Sequence, residues 1–283
     1  MAKWIDKKTV IITGASSGIG KMLATRLIKD HGCTVIGVAR SEKKMIAFTE
    51  ELGEYAKQFS YKLFDVSSYD NWQNFHDYLV ENNIQPDVLI NNAGVLPKFD
   101  RLINYSKEQI DESMNIDFNS VAYSSKIMLP LLMKSETPAL INVASSASLM
   151  PIAGTSMYSA SKGAVRLLTE AIREELRGEC YVSVICPGFT KTDIFRNQEE
   201  SNGSNLIDMV STPCDKAVNK MVKGIRRKKE YIVVGFDGNA MGIFARLFPV
   251  FGGKFFSKFI KAFKIDLFAS TFGYEKTGDK KKK

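Results

Sequence analysis

The stretch Thr9-Val10-Ile11-Ile12-Thr13-Gly14-Ala15-Ser16-Ser17-Gly18-Ile19-Gly20 decides the fold. Residues 9–12 form a β-branched, apolar run without alternation, the mark of a strand covered on both faces. Residues 19–29 carry helix-forming residues and read as the helix that follows. Between them stand glycines spaced G-x3-G-x-G. A turn free of side chains lets backbone N–H groups at a helix N-terminus approach a phosphate. Such a loop is a weak signal alone, but its position between a first strand and a first helix is the context that phosphate binding requires.

The same alternation continues down the chain. Short apolar runs at 34–38, 61–64, 88–90, 139–143 and 181–185 read as further strands, with helical stretches at 41–57, 70–82, 118–133 and 158–177 between them. Residues 231–235 look like a last strand. Strand–helix alternation of this kind predicts an α/β fold, a single doubly wound parallel sheet, with no repeat or low-complexity linker to divide it. The expected organisation is one nucleotide-binding domain over residues 1–239 and a C-terminal amphipathic helical extension over 240–283.

Composition narrows the function classes. The chain has 283 residues, of which 45% are hydrophobic, enough for a large core and too many for a disordered chain. Four cysteines without CxxC pairing and two histidines offer no metal-ligand spacing, so no metal is expected. So few cysteines suit a reducing compartment, and the expected location is cytoplasmic. Residues 1–8 lack the apolar run of an export signal, and no stretch of 18 apolar residues stands as a transmembrane helix. The net charge of +8 suits an anionic partner. Much of it lies in the runs 226–229 and 280–283, which carry no recognition element for nucleic acid.

The second strand ends at Val38-Ala39-Arg40-Ser41. An acidic residue there would accept hydrogen bonds from free ribose hydroxyls and repel a 2′-phosphate. Ala39 and Arg40 instead offer a guanidinium that can grip a phosphate in two places, with Ser16, Ser17 and Ser41 as hydroxyl donors. The reading is NADP(H).

Tyr158-Ser159-Ala160-Ser161-Lys162 opens a helix, and residues four apart share a face. A nearby ammonium favours the phenolate form of a tyrosine, whose ordinary pKa of about 10 makes it a poor acid–base at neutral pH. Tyr-x3-Lys is common on its own. Here it stands in order with Thr13-Gly14-x3-Gly18-Ile19-Gly20, Asp65-Val66, Asn91-Asn92-Ala93-Gly94, Asn115, Ser145 and Pro187-Gly188. In that order the chain resembles the short-chain dehydrogenase/reductase family, its single-domain Rossmann branch, from about residue 8 to 235.

The resemblance implies roles residue by residue. Tyr158 would exchange a proton with the carbonyl oxygen as hydride passes to or from nicotinamide, and Lys162 would hold the nicotinamide ribose and lower the Tyr158 pKa. Ser145, with Ser146 beside it, would polarise the substrate oxygen. Asn115 would hold a water linking Lys162 to solvent. Gly14, Ser16, Ser17, Gly18, Ile19 and Gly20 would cradle the phosphates, with Arg40 and Ser41 at the 2′-phosphate and Asp65 and Val66 at the adenine. Asn91, Asn92, Ala93 and Gly94 would line the cleft, and Pro187, Gly188, Thr190 and Thr192 would fix the carboxamide. It also implies a homodimer or homotetramer.

The substrate side is read from loops after the strands, at 95–103, 147–155 and 189–212. Leu149 and Phe195 are the substrate candidates beside Ser145 and Tyr158, and the polar run 197–205 reads as a lid. That apolar rim favours a lipophilic ketone or alcohol of the hydroxysteroid or long-chain 3-oxo lipid type. A non-catalytic NADP(H)-binding regulator on the same fold is the rival reading. In the extension, Phe255, Phe256, Phe259, Ile260 and Phe263 recur at helical spacing among Lys254, Lys258, Lys261 and Lys264, and half of the 18 phenylalanines lie between 244 and 272. This pattern suits a peripheral membrane contact, or a helix packed on the body or on a second subunit over the cleft. Both remain open at this point.

Overall fold

Parallel pairing joins seven strands into one sheet. They are β1 (Thr9–Thr13), β2 (Thr34–Ala39), β3 (Phe59–Leu63), β4 (Val88–Asn91), β5 (Ala139–Val143), β6 (Tyr181–Pro187) and β9 (Tyr231–Val234), in the spatial order β3-β2-β1-β4-β5-β6-β9. β7 (Thr190–Lys191) and β8 (Thr212–Pro213) form a separate two-stranded pair. The computed structural model describes residues 3–192 and 211–274. Phe195, the run 197–205 and the lysines 280–283 lie outside the described residues.

The strands read as unbroken apolar runs because both faces are covered. Ile11, Val38, Leu89 and Leu140 pack on one side with Trp72, Phe75 and Met128, while Val10, Ile12, Val35 and Ile90 pack on the other with Leu23, Leu27 and Met221. Each such side chain contributes about 1.5–3 kcal/mol on burial, so a one-residue slip of any central strand is heavily penalised. The helices are α1 (Gly18–His31), α2 (Glu42–Leu52), α3 (Tyr69–Glu81), α4 (Lys107–Met114), α5 (Ser120–Leu132), α6 (Ser156–Glu175) and α7 (Cys214–Arg226). One buried polar chain runs along a single face of the sheet from α5 to α6: Ser124 donates to Asn91, Asn91 to Asn142 and Asn142 to Thr169, each at 2.9 Å.

Several expected bounds shift for local reasons. The helix expected over 41–57 ends at Leu52, because Gly53 takes a positive φ of 57° and a 3-10 turn carries the chain on. The helix expected over 118–133 is the second part of a longer unit, in which a π-turn over Asn115–Asn119 joins α4 to α5. The single helix read in the extension is two, α8 (Phe236–Leu247) and α9 (Phe251–Ala262), parted at Pro249; α10 (Ala269–Phe272) ends the described chain.

Strand order reverses between β1 and β4, whose following connections run to opposite ends of the sheet. That divergence leaves a crevice outside the carboxyl ends of the strands, where open α/β sheets bind ligands.

Candidate active site

The crevice holds a cavity of about 500 Å³. At one end lies the turn after β1. Gly14 and Gly18 have φ of 68° and 53°, and a Cβ on Gly20 would stand 2.3 Å from the Gly14 carbonyl oxygen. Only glycine fits there. No side chain caps the N-terminus of α1, which leaves its first N–H groups without a side-chain partner where Ser16, Ser17, Gly18 and Ile19 line the cavity. Thr13 fastens this turn to the segment after β4, accepting on its hydroxyl from the N–H groups of Asn92 and Ala93 at 2.9 Å each.

Arg40 and Ser41 line the same end, with Lys44 from the first turn of α2. Arg40 and Lys44 are exposed, and neither is paired with a described residue. Sequence reading missed Lys44; its sign was a second cation one helical turn past Arg40. Asp65 and Val66 also line the cavity, Asp65 held by the N–H and hydroxyl of Ser67 at 2.9 and 2.8 Å. A glycine cradle, an open helix N-terminus and two unpaired cations fit a phosphorylated dinucleotide.

At the other end, β5 delivers Ser145 and the start of α6 delivers Tyr158 and Lys162. Ser145 and Tyr158 both line this end of the cavity, where the Ser145 hydroxyl acts to lower the Tyr158 pKa. Lys162 is buried, with its Nζ 5.9 Å from the centre of the Tyr158 ring and 3.5 Å from the Val143 carbonyl. Pro187, Gly188, Thr190 and Thr192 close the far wall, where Thr190 donates to the Gly188 carbonyl at 3.0 Å. Behind Gly188 sits the buried Asp237, which accepts from the Phe189 N–H at 2.7 Å.

Three expectations are corrected by this geometry. Asn115 is exposed and bonds Asn119 at 2.8 Å, turned away from Lys162. The residue that meets Lys162 is Asp117, fully buried, with a carboxylate oxygen 3.4 Å from Nζ. The π-turn widens the helix here and brings position 117, not 115, onto the inner face. Leu149 lies outside the cavity and packs with Val121, Val165 and Val233 and beside Gly242. Asn91 lies in the core, in the polar chain described above, while Asn92, Ala93 and Gly94 do line the cleft. Leu96, Phe99, Ile152 and Phe189 form the apolar wall instead.

The phenol of Tyr158 is pushed above its ordinary pKa by burial first and by the Asp117 charge second, while the Ser145 hydrogen bond pulls it down. The extension adjoins this end of the cleft. Met241, Ile260, Ile265 and Phe268 form one buried cluster with Leu96, Phe99, Met150 and Ile152, against which Tyr158 and Phe189 pack. Of the two arrangements left open by the sequence, packing on the body is the one observed, and it covers one face of the extension only.

A dinucleotide cradle at a sheet switch point, with tyrosine, serine and lysine at its far end, defines a nicotinamide-type oxidoreductase site. The chain belongs to the short chain dehydrogenase family, whose sequence pattern matches residues 8–203. It is 32% identical over 190 residues to the NADPH-dependent pterin aldehyde reductase of Arabidopsis thaliana, covering 67% of this chain and 78% of that one. It is 30% identical over 191 residues to 3beta-hydroxysteroid dehydrogenase 2 of Eggerthella lenta, covering 66% of this chain and 72% of that one. A short-chain dehydrogenase from Sphingobium yanoikuyae, solved in complex with NADPH, shares the fold with a TM-score of 0.73 at 24% identity, over 87% of this chain and 93% of that one. The family makes the chain an oxidoreductase of the kind that acts on CH–OH groups.

Proposed function

We propose that this chain is an NADP(H)-dependent oxidoreductase that interconverts a lipophilic ketone and its secondary alcohol, of the hydroxysteroid or long-chain 3-oxo lipid type. The observation that carries the reading is the position of Tyr158, at once in the wall of the dinucleotide-sized cavity and against the apolar cluster built by the extension. A substrate held there meets Leu96, Phe99, Ile152 and Phe189 on one side and the phenol on the other.

Gly14 to Gly20 would hold the phosphates of NADPH and Arg40, Ser41 and Lys44 its 2′-phosphate, and the cofactor would supply the hydride. The protein's part is to place the proton. Ser145 donates a hydrogen bond to the carbonyl oxygen, and Tyr158 gives that oxygen its proton, as a general acid held within hydrogen-bond reach. Lys162 steadies the resulting phenolate. The buried apolar cluster keeps bulk water from the reacting carbon.

The test is NADPH oxidation against steroid, acyl and sphingoid ketones, with Tyr158→Phe alongside. Turnover confined to lipophilic ketones and lost in Tyr158→Phe is expected; equal turnover in the variant ends the mechanism. Bound NADPH without turnover of any carbonyl favours the non-catalytic regulator. Light scattering checks assembly as a homodimer or homotetramer.

The reading includes a peripheral membrane contact through the extension. Phe236, Ile243, Phe244, Leu247, Phe248, Val250, Phe251, Phe255 and Phe263 are exposed. Residues 238–265 hold Arg246, Lys254, Lys258, Lys261 and Lys264 and no acid. An aromatic face flanked by cations suits an anionic bilayer surface. No helix among the described residues is long and apolar enough to cross a membrane. Flotation with phosphatidylglycerol-containing vesicles is expected, and the double variant Phe248→Ser, Phe251→Ser is expected to stay behind. Failure of the native chain to float removes the contact.

A further inference from the structure

Asp117 is a fully buried carboxylate for which the proton transfer just described has no use. Every element around it presents a partner. From α6 come the Lys162 ammonium, at 3.4 Å from Oδ1, and the Ser161 hydroxyl, which donates to Oδ2 at 3.1 Å. From the segment after β4 comes the N–H of Val95, donating to Oδ1 at 2.8 Å. Gly94 lies so close that a Cβ there would stand 2.8 Å from Oδ1 and 2.9 Å from the lysine Nζ. From the end of β5, the Val143 carbonyl meets Lys162. Tyr158 and Lys162 are the titratable groups that face it.

An ammonium beside a phenol normally draws it toward the phenolate. Here that ammonium is closer to a carboxylate than to the ring, since it lies 5.9 Å from the Tyr158 centroid. Opposite charges at such a distance, shielded from water, cancel most of each other's field at a third group. We propose, resting on the oxidoreductase reading above, that Asp117 is a positioning residue that balances the charge of Lys162 and holds its ammonium, so that Tyr158 stays a phenol and the site is set to reduce a ketone rather than oxidise an alcohol. In that direction the carbonyl carbon would take the hydride supplied by NADPH, leaving NADP+, as the C=O π pair moves onto oxygen; the Tyr158 O–H bond breaks and the substrate O–H bond forms. The phenolate left beside Lys162 regains its proton from solvent. Burial and the Asp117 charge both raise the Tyr158 pKa, and although burial also raises that of Asp117, the facing Lys162 ammonium and the Val95 and Ser161 hydrogen bonds favour its carboxylate form.

The experiment is the pH profile of both directions, in the native enzyme and in Asp117→Asn, which keeps the shape and the acceptor for Val95. In the native enzyme, reduction is expected to be flat through neutral pH and oxidation to be still rising at about pH 9, near the low edge of an ordinary tyrosine titration. In Asp117→Asn the oxidation limb is expected to move down by about one pH unit or more, the usual effect of one nearby charge. Tyrosinate absorbance gives the same answer without turnover, as the difference between each NADP-bound protein and its Tyr158→Phe counterpart. An unmoved limb and an unmoved absorbance midpoint in Asp117→Asn overturn the proposal. So does a native oxidation limb centred near neutral pH, which decides the matter even if the variant does not fold. Absence of turnover alone counts against the oxidoreductase reading and leaves the absorbance comparison to judge Asp117.

Discussion

The side-chain amide of Asn92 donates to the Thr13 carbonyl at 3.0 Å while the Thr13 hydroxyl accepts from the Asn92 and Ala93 N–H groups, so β1 and the segment after β4 are tied by three bonds at the switch point. Thr13→Val keeps the shape and strands two N–H groups. Each such loss costs about 1–3 kcal/mol in a buried site. Urea unfolding is expected to show a loss of about 2 kcal/mol or more, together with weaker NADPH binding by fluorescence. Unchanged stability would mean that water serves those groups equally well.

The glycines of the first turn are expected to differ in tolerance. On Gly20 a Cβ meets the Gly14 carbonyl oxygen at 2.3 Å, a backbone atom that cannot move aside, whereas on Gly18 it meets only the Thr192 side chain at 3.4 Å. Gly18→Ala therefore carries chiefly the strain of its φ of 53°, about 1–2 kcal/mol. Gly20→Ala is expected to abolish NADPH binding, measured by fluorescence titration, while Gly18→Ala weakens it. The reverse order would show that the turn rearranges.

Much of this end was legible because its signals are local. Buried β-branched runs announce strands, and a turn that admits only glycine announces itself between strand and helix. The residue that meets Lys162 was less legible for a physical reason. Asn115 and Asp117 differ by two positions, and a π-turn changes which of them faces inward. The useful signal was the inner stripe Asp117, Val121, Ser124, Met128, at spacings four, three and four, with a carboxylate where a buried face expects none. The extension was legible as amphipathic, but which face is buried depends on Leu96, Phe99 and Met150, far away in sequence.

Arg40 offers a direct test of cofactor choice. It lines the cavity with no partner among the described residues. A charge-assisted hydrogen bond is worth about 1.5–3 kcal/mol, or roughly 10- to 100-fold in affinity. Arg40→Ala is expected to raise the NADPH dissociation constant by about that factor and to leave NADH unchanged. Equal losses for both would place Arg40 away from the 2′-phosphate.

Acid stability is expected to depend on Asp6. His31 holds its carboxylate at 2.7 Å, and the Lys3 N–H adds a second bond, so its pKa lies below the ordinary carboxylate value. A depressed carboxylate contributes stability that is present above the unfolded pKa and is lost as pH falls through the folded one. Melting temperatures of native protein and Asp6→Asn are therefore expected to differ most at neutral pH and to converge below about pH 4. A constant gap over that range would assign the effect to packing alone.

The last described turns of the chain hold the substrate wall in place. Phe268 is buried, with its ring centre 5.0 Å from that of Phe99, and around it Arg101 donates to the Thr271 carbonyl at 2.9 Å and Ser270 to the Phe99 carbonyl at 2.7 Å. Replacing a buried phenylalanine by alanine costs about 3–5 kcal/mol, because the cavity left behind collapses only in part. Here the loss falls on a wall shared with the cleft, since Phe99 lines the cavity while Phe268 backs it. Phe268→Leu, which keeps most of the volume, is expected to cost less than half as much stability in urea, yet to raise KM for a lipophilic ketone several-fold with NADPH binding unchanged. The phosphate end of the cavity, at Gly14 to Gly20, runs from the end of β1 into α1 and contributes no residue to this cluster. Loss of NADPH affinity in step with KM would show instead that the extension supports the whole domain and not the substrate wall.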